Sequence, residues 1–275
     1  RALSMKEIMY NQNSILIAAV LFALLLIAVE VGYRLGLRNQ PAVDEESRSH
    51  VNAFQASLLG VLALLLGFTF SLALQRFDSR SQAVVDESNA IGTTYLRSQL
   101  LPVSMQAEVQ GLLRSYLDVR VQESTVTLSD LAGRQALLDQ AGQYQNSLWH
   151  YAVLAAQEDK SPVTSGLFIQ ALNAMIDSFG SRNAALDRHV PEVVLFLLFA
   201  VFLLTWGIVG YAAGAAGHRP SKVAYLMLVL VVLLVFIIID LDRPRRGLIE
   251  VDHRSLTTLQ TAIDSGNYGD TLSTP

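Results

Sequence analysis

Cysteine is absent from all 275 residues, which excludes disulfides and thiolate metal sites and leaves the redox compartment open. The five histidines (His50, His150, His189, His218 and His253) stand apart, with no His-x3-His pair and no His-Glu-x-x-His. No metal or other cofactor is therefore expected. Glycine-rich phosphate loops, nucleophile elbows and repeats of solenoid length are missing as well. Ser71 has no histidine near it in the chain, so no nucleophile–base constellation supports an enzyme. Charged residues make up only 16%, and the formal net charge of −4 gives neither a basic nucleic-acid surface nor a strongly acidic tail.

What the chain has instead is long uncharged runs. Hydrophobic residues reach 52% and mean hydropathy is +0.37, more apolar than an ordinary soluble domain. Four runs are long enough to cross a bilayer, because about 20 apolar residues in a helix match its hydrocarbon core. The boundaries read from them are 14–34, 51–75, 191–217 and 222–240. Segment 1–13 precedes the first span, a helical insert at 76–190 separates the second from the third, and 241–275 forms a C-terminal tail. The first run is long for the apolar core of a leader and lacks a small-x-small cleavage site, so it reads as a span anchored by Tyr33 and Arg34. Glu30 sits near its end, either as a functional carboxylate or in the headgroup layer paired with Arg34 four residues on.

The second span carries small residues at three- and four-residue spacing, including Ser57, Gly60, Gly67 and Ser71. Close helix packing is the first expectation for such a face, and pore lining is the alternative. Phe68 and Phe70 are candidates for a hydrophobic constriction. No proline occurs from Val51 to Leu101, so the helix should leave the membrane as a stalk, with a break or bend near Gly92. The third span has its own small face, Gly207, Gly210, Gly214 and Gly217.

Within the insert, Val109, Leu113 and Tyr116, then Leu131, Leu138, Ala141, Leu148 and Ala152, then Phe168, Leu172, Met175, Ile176 and Phe179 recur at helical spacing. Ser129-Asp130 is a fair N-cap. Two polar pairs at i, i+4, Asn89/Thr93 and Asn173/Asp177, are candidate internal hydrogen bonds that set helix register. The fourth span ends in Asp240-Leu-Asp-Arg-Pro-Arg-Arg-Gly247. Basic residues near the membrane favour the side of the insert, which places the insert and both termini in the cytoplasm. That topology gathers Arg76, Asp78, Glu192, Asp240, Asp242, Arg243, Arg245 and Arg246 into a charged belt at the inner face, with Asp240 the most deeply placed acid.

Three stretches carry a family resemblance: Gln55-Ala-Ser-Leu-Leu-Gly60 running on to Gly67-Phe-Thr-Phe-Ser71 and Gln75-Arg-Phe-Asp78, Asn89-Ala-Ile-Gly-Thr-Thr-Tyr-Leu-Arg97, and Asp240 to Gly247. Together they resemble the bestrophin-like domain family of bacterial membrane proteins, whose function is largely unassigned. The resemblance implies an all-α, four-span protein of the bacterial inner membrane with a helical cytoplasmic insert between spans 2 and 3. More distantly it is similar in architecture to the bestrophins, pentameric ion channels whose second helix lines the pore. Their eukaryotic members carry an acidic calcium clasp after the fourth span. Asp240 and Asp242 fall near that place, but the pair is short and runs at once into arginines, so calcium binding is not carried over. The expected function is a homo-oligomeric channel or conducting pore, with Asp78 biasing it towards cations. The alternative is a non-conducting scaffold or signalling subunit that docks a protein partner on its insert. Membrane lipid is an expected partner and nucleic acid is not.

Overall fold

In the computed structural model, described for residues 12–39, 45–126, 130–188, 190, 192–243, 249–266 and 268, every regular element is helical. The helices are α1 (Ser14–Asn39), α2 (Glu45–Arg97), α3 (Val103–Thr125), α4 (Leu131–Glu158), α5 (Ser165–Asp187), α6 (Glu192–Ala215), α7 (Lys222–Asp242) and α8 (Arg254–Asp264). A 3-10 turn, Ser98–Leu100, follows α2. Four helices are long and apolar enough to cross a membrane: α1, α2, α6 and α7. The protein is a multi-pass membrane protein. The chain divides into two compact units, residues 1–76 with 189–249 and residues 77–188 with 250–275.

In the first unit, α1 and α6 meet backbone to backbone. A Cβ built on Gly32 would lie 2.0 Å from the carbonyl oxygen of Gly207, and one on Gly36 would lie 2.1 Å from that of Tyr211. From the other side, Gly210 meets the carbonyl of Val29 and Gly214 that of Tyr33, each at 2.1 Å from the added carbon. The register climbs together along both helices, so they are parallel. Lipid offers no hydrophobic drive between apolar helices, so association rests on this close packing, which only glycine permits here. The Gly-x-x-x-Gly at 210–214 therefore packs as the sequence suggested, against a second such motif, Gly32 to Gly36, which the sequence reading missed. Gly217 plays another part. At φ 77° it ends α6, with His218 N–H donating to the Ala213 carbonyl at 3.1 Å and its own N–H to that of Gly214 at 3.0 Å. This is a Schellman cap. Ser221 then starts α7 by accepting from Ala224 N–H at 3.2 Å.

In the second unit, the apolar stripes read from the insert converge. Val109, Leu113, Tyr116, Ala141, Leu148, Phe168, Leu172 and Met175 share one core with Val84 and Ile91 of α2. Asp130 caps α4 as expected, accepting from Gly133 N–H at 2.9 Å. Arg80, buried, closes the end of α5 by donating from Nε to the Ala185 carbonyl at 3.2 Å. The end of the chain joins this core through Leu256, Leu259 and Ile263 of α8. Ser88 Oγ donates to the Ser255 carbonyl at 2.9 Å, and the Tyr268 ring meets Tyr95 edge-on at 6.1 Å. Of the break or bend expected near Gly92, no break occurs, since α2 continues to Arg97. A Cβ at Gly92 would lie 2.2 Å from the Tyr268 hydroxyl, so this glycine makes room for a ring.

The core also holds charges. Glu87 of α2 accepts from Arg120 Nε of α3 at 2.7 Å and from Arg182 Nη1 of α5. Glu123 lies 3.6 Å from both guanidinium groups and 3.5 Å from Arg134 Nε. Glu87, Arg120 and Glu123 are wholly buried, and Arg182 nearly so. The Arg120 guanidinium also lies 4.6 Å from the centre of the Phe179 ring. Burial first, then the Glu87 carboxylate, pushes the neighbouring Tyr116 phenol above its usual range.

Two outcomes follow from these contacts. Gly32→Ala or Gly210→Ala should lower the stability of the detergent-solubilised chain by about 1–3 kcal/mol through overpacking. Gly60→Ala and Gly67→Ala, where an added Cβ meets nothing within 4 Å, should not. Glu87→Gln leaves two buried guanidinium groups short of a counter-charge and should cost about 3–5 kcal/mol in chemical unfolding.

Candidate functional site

On an ideal helix turning 100° per residue, Ser57, Gly60, Gly67, Ser71, Asp78, Asn89 and Thr93 fall within an arc of roughly 80°. All seven are exposed. Leu64, Gln75 and Gln82, on the same arc, are exposed as well. The arc is apolar or small through the span and polar beyond it, and α2 is the least buried of the four spans. Within this chain the small face packs nothing, in contrast to the glycines of α1 and α6. Close helix packing is the first expectation for it, and within this chain an added Cβ at Gly60 or Gly67 meets nothing within 4 Å.

Individual residues sharpen the picture. Ser57 Oγ donates back to the Ala53 carbonyl at 3.0 Å, which satisfies the hydroxyl inside its own helix. Phe68 borders the open arc and is 60% exposed. Phe70 lies two residues on, about 200° round the helix, and is half-buried. The two rings therefore point to opposite sides of α2, with Phe68 beside the open arc. Asn89/Thr93 and Asn173/Asp177 are exposed and no hydrogen bond joins either pair, so they do not act as internal register bonds. Asp177 instead helps to line a groove of about 880 Å³ between α2 and α5 in the second unit, with Ser79, Gln82, Asp86, Ser181 and Arg188. Gln82 Nε2 donates to Asp86 Oδ1 there at 2.8 Å.

The end of the fourth span gathers several segments of the first unit. Asp242 accepts from the buried Val190 N–H at 2.8 Å and lies 3.4 Å from Arg76 Nη1. Asp240, 2% exposed against 7% for Asp242, accepts from Ile249 N–H at 3.0 Å. Arg243 donates to the Gln12 carbonyl and lies 3.4 Å from Ser14 Oγ. The start of α1, residue 76 of α2, the approach to α6 and the end of α7 thus share one end of the unit. Parallel α1 and α6 require the same arrangement. Arg245, Arg246 and the side chain of Glu192 lie outside the described residues, and Asp78 belongs to the second unit. Among the described residues no group of three or more His, Asp or Glu side chains is arranged to hold a metal.

A sequence-family model of the bestrophin-like domain matches residues 17–256, and the chain belongs to that family. No curated protein and no solved structure matches it.

Asp242→Ala removes the acceptor of a buried backbone N–H and the partner of Arg76 in one step. It should destabilise the first unit by about 1–3 kcal/mol and lower the yield of well-folded protein in gel filtration. Asp240→Ala should likewise disturb assembly more than any conductance the protein has.

Proposed function

We propose that this member of the bestrophin-like family self-associates through the open arc of α2 and that the assembly conducts ions. The observation that carries the reading is the open small-residue arc of the span, exposed at Ser57, Gly60, Leu64, Gly67, Ser71 and Gln75, with no neighbour at Gly60 or Gly67. A lone four-span chain encloses no obvious pathway. Copies arranged round an axis would cover the small residues of each α2 and leave a lumen bordered by Ser57, Ser71 and, beyond the span, Gln75 and Asp78. Phe68 would be its narrow apolar point, where dewetting opposes ion passage. A ring of Asp78 carboxylates at the mouth would favour cations over anions. The excess of arginines towards the Asp242 end of the spans supports an orientation in a bacterial inner membrane with both termini and the helical insert cytoplasmic.

The α2–α5 groove supports a second reading, in which the assembly is a non-conducting scaffold and the insert docks a protein partner. The natural lack of cysteine makes the choice testable with single-cysteine variants. Ser71→Cys and Asn89→Cys should give disulfide-linked dimers in native membranes treated with a mild oxidant, whereas Leu230→Cys, exposed on α7, should not. Purified protein in planar bilayers should pass current, and Asp78→Asn should reduce the cation-to-anion permeability ratio several-fold. Monomers throughout would overturn self-association. Multimers that carry no current would overturn conduction and leave the scaffold.

A further inference from the structure

Glu30 is the single carboxylate in an otherwise apolar span, and the structure pairs it twice. Arg34 Nε donates to Glu30 Oε1 at 2.7 Å, and Arg219 Nη1, from the 216–221 turn, lies 3.7 Å from Glu30 Oε2. The Arg219 guanidinium also sits 5.2 Å from the centre of the Tyr33 ring. Glu30 therefore takes the paired reading, with Arg219 a partner that its distance in the chain concealed. Its physical result is two guanidinium groups held side by side by one carboxylate, a local charge of plus one. Their side chains are 73% and 70% exposed, and the described residues offer no second acid to either.

The surface of α1 beside this pair is not flat. A recess of about 330 Å³ is lined by Leu26, Ile27, Glu30, Val31 and Arg34. A second, about 370 Å³, is lined by Val31, Gly32 and Leu35 of α1 with Leu204, Gly207 and Tyr211 of α6. It is open because Gly207 carries no side chain there. Val31 belongs to both. On a helix turning 100° per residue, Ile27, Glu30 and Arg34 fall to one side of Val31, while Ala28, Gly32 and Leu35 fall to the other. Two apolar recesses thus flank one ridge, with a cationic pair at the end of the span above the first of them.

We propose that α1, α6 and the 216–221 turn form a site for an anionic phospholipid, its phosphate on Arg34 and Arg219 and one acyl chain in each recess astride Val31. Guanidinium forks match phosphate oxygens in geometry and in charge. The uncompensated positive charge selects an anionic headgroup over one that carries its own cation. The recesses lie within the span, where hydrocarbon fills them, and there are two of them for the two chains of a diacyl lipid. Glu30 is a positioning residue that sets the spacing of the arginines. The site is independent of whether the assembly conducts.

Native mass spectrometry of the purified protein with added phosphatidylglycerol or phosphatidylcholine tests the site. The unmodified chain should retain phosphatidylglycerol preferentially. Arg34→Gln with Arg219→Gln should weaken that retention by roughly tenfold, the loss expected from two charge-assisted contacts after solvent competition. Arg38→Gln with Lys222→Gln, the same loss of charge near the same interface, should leave it unchanged. If the control pair loses as much, attraction is diffuse and the site is overturned. Gly207→Leu keeps both arginines and fills the second recess, where an added Cβ meets only the Ala28 carbonyl at 3.9 Å. It should also weaken lipid retention, which keeps the proposal decidable if the arginine variant fails to fold. Unchanged retention in Gly207→Leu would overturn the acyl seat. Inorganic phosphate in excess should not displace the lipid, and displacement would assign the arginines to free phosphate instead.

Discussion

The approach of α1 to α6 through carbonyl oxygens and glycine α-carbons is the constraint on which the membrane unit depends. In water, two apolar helices are driven together by the area they hide. In lipid that drive vanishes, and contact at backbone distance supplies dispersion in its place. Four glycines, Gly32 and Gly36 on one helix and Gly210 and Gly214 on the other, permit that distance and no larger residue would. Because the register climbs in the same direction on both, the two helices enter the membrane from the same side. An odd number of crossings must then lie between them, which α2 supplies. Topology follows from packing here, without recourse to charge.

The two units deal with charge in different ways. The first keeps its ionised groups at the ends of the spans, where Asp242, Arg76 and Arg243 tie together segments that are far apart in the chain. The second draws Glu87, Glu123, Arg120 and Arg182 into its core, with Arg134 at the edge. Such a network adds little net stability, since the desolvation of each ion offsets most of the attraction. Its effect is on what happens when a partner is missing. Glu87 from α2 meets one arginine from α3 and another from α5, so a slip of any of these helices would strand a buried charge. Stripes of leucine and alanine tolerate sliding far better.

How much of this was legible depends on whether the signal lay in one segment. Four apolar helices, the Asp130 cap and most of the apolar stripes of the insert are signals within single helices, and they stand where the sequence put them, except that Leu137 and not Leu138 enters the core. The buried network was missed because charged residues in a soluble insert read as a solvated face. Its signal was present in the phase: Arg120 and Glu123 continue Val109, Leu113 and Tyr116 at steps of four and three, and Arg182 continues Phe168, Leu172, Met175 and Phe179. A charge in phase with an apolar stripe is buried. Gly92 misled for the opposite reason. A glycine inside a helix reads as weakness, but this one is a seat for Tyr268, and nothing within α2 announces a ring from the far end of the chain. The Glu30 pairing with Arg219 and the meeting of Gly32 with Gly207 are hidden in the same way.

That distinction bears on the open face of α2. Among the described residues, the glycines paired across α1 and α6 have their partners within the chain. Gly32 and Gly36 meet the backbone of α6 at Gly207 and Tyr211, Gly210 and Gly214 meet that of α1 at Val29 and Tyr33, and Gly217 is consumed by a helix cap. The face of Gly60 and Gly67 shares their composition and spacing yet meets nothing, although α2 spans the same membrane. A glycine or serine facing lipid gains no packing and gives up the side-chain contacts that a leucine would make. A surface made from one helix and small along the span is matched most economically by copies of itself about an axis, since each copy brings the same close-packing face to its neighbour.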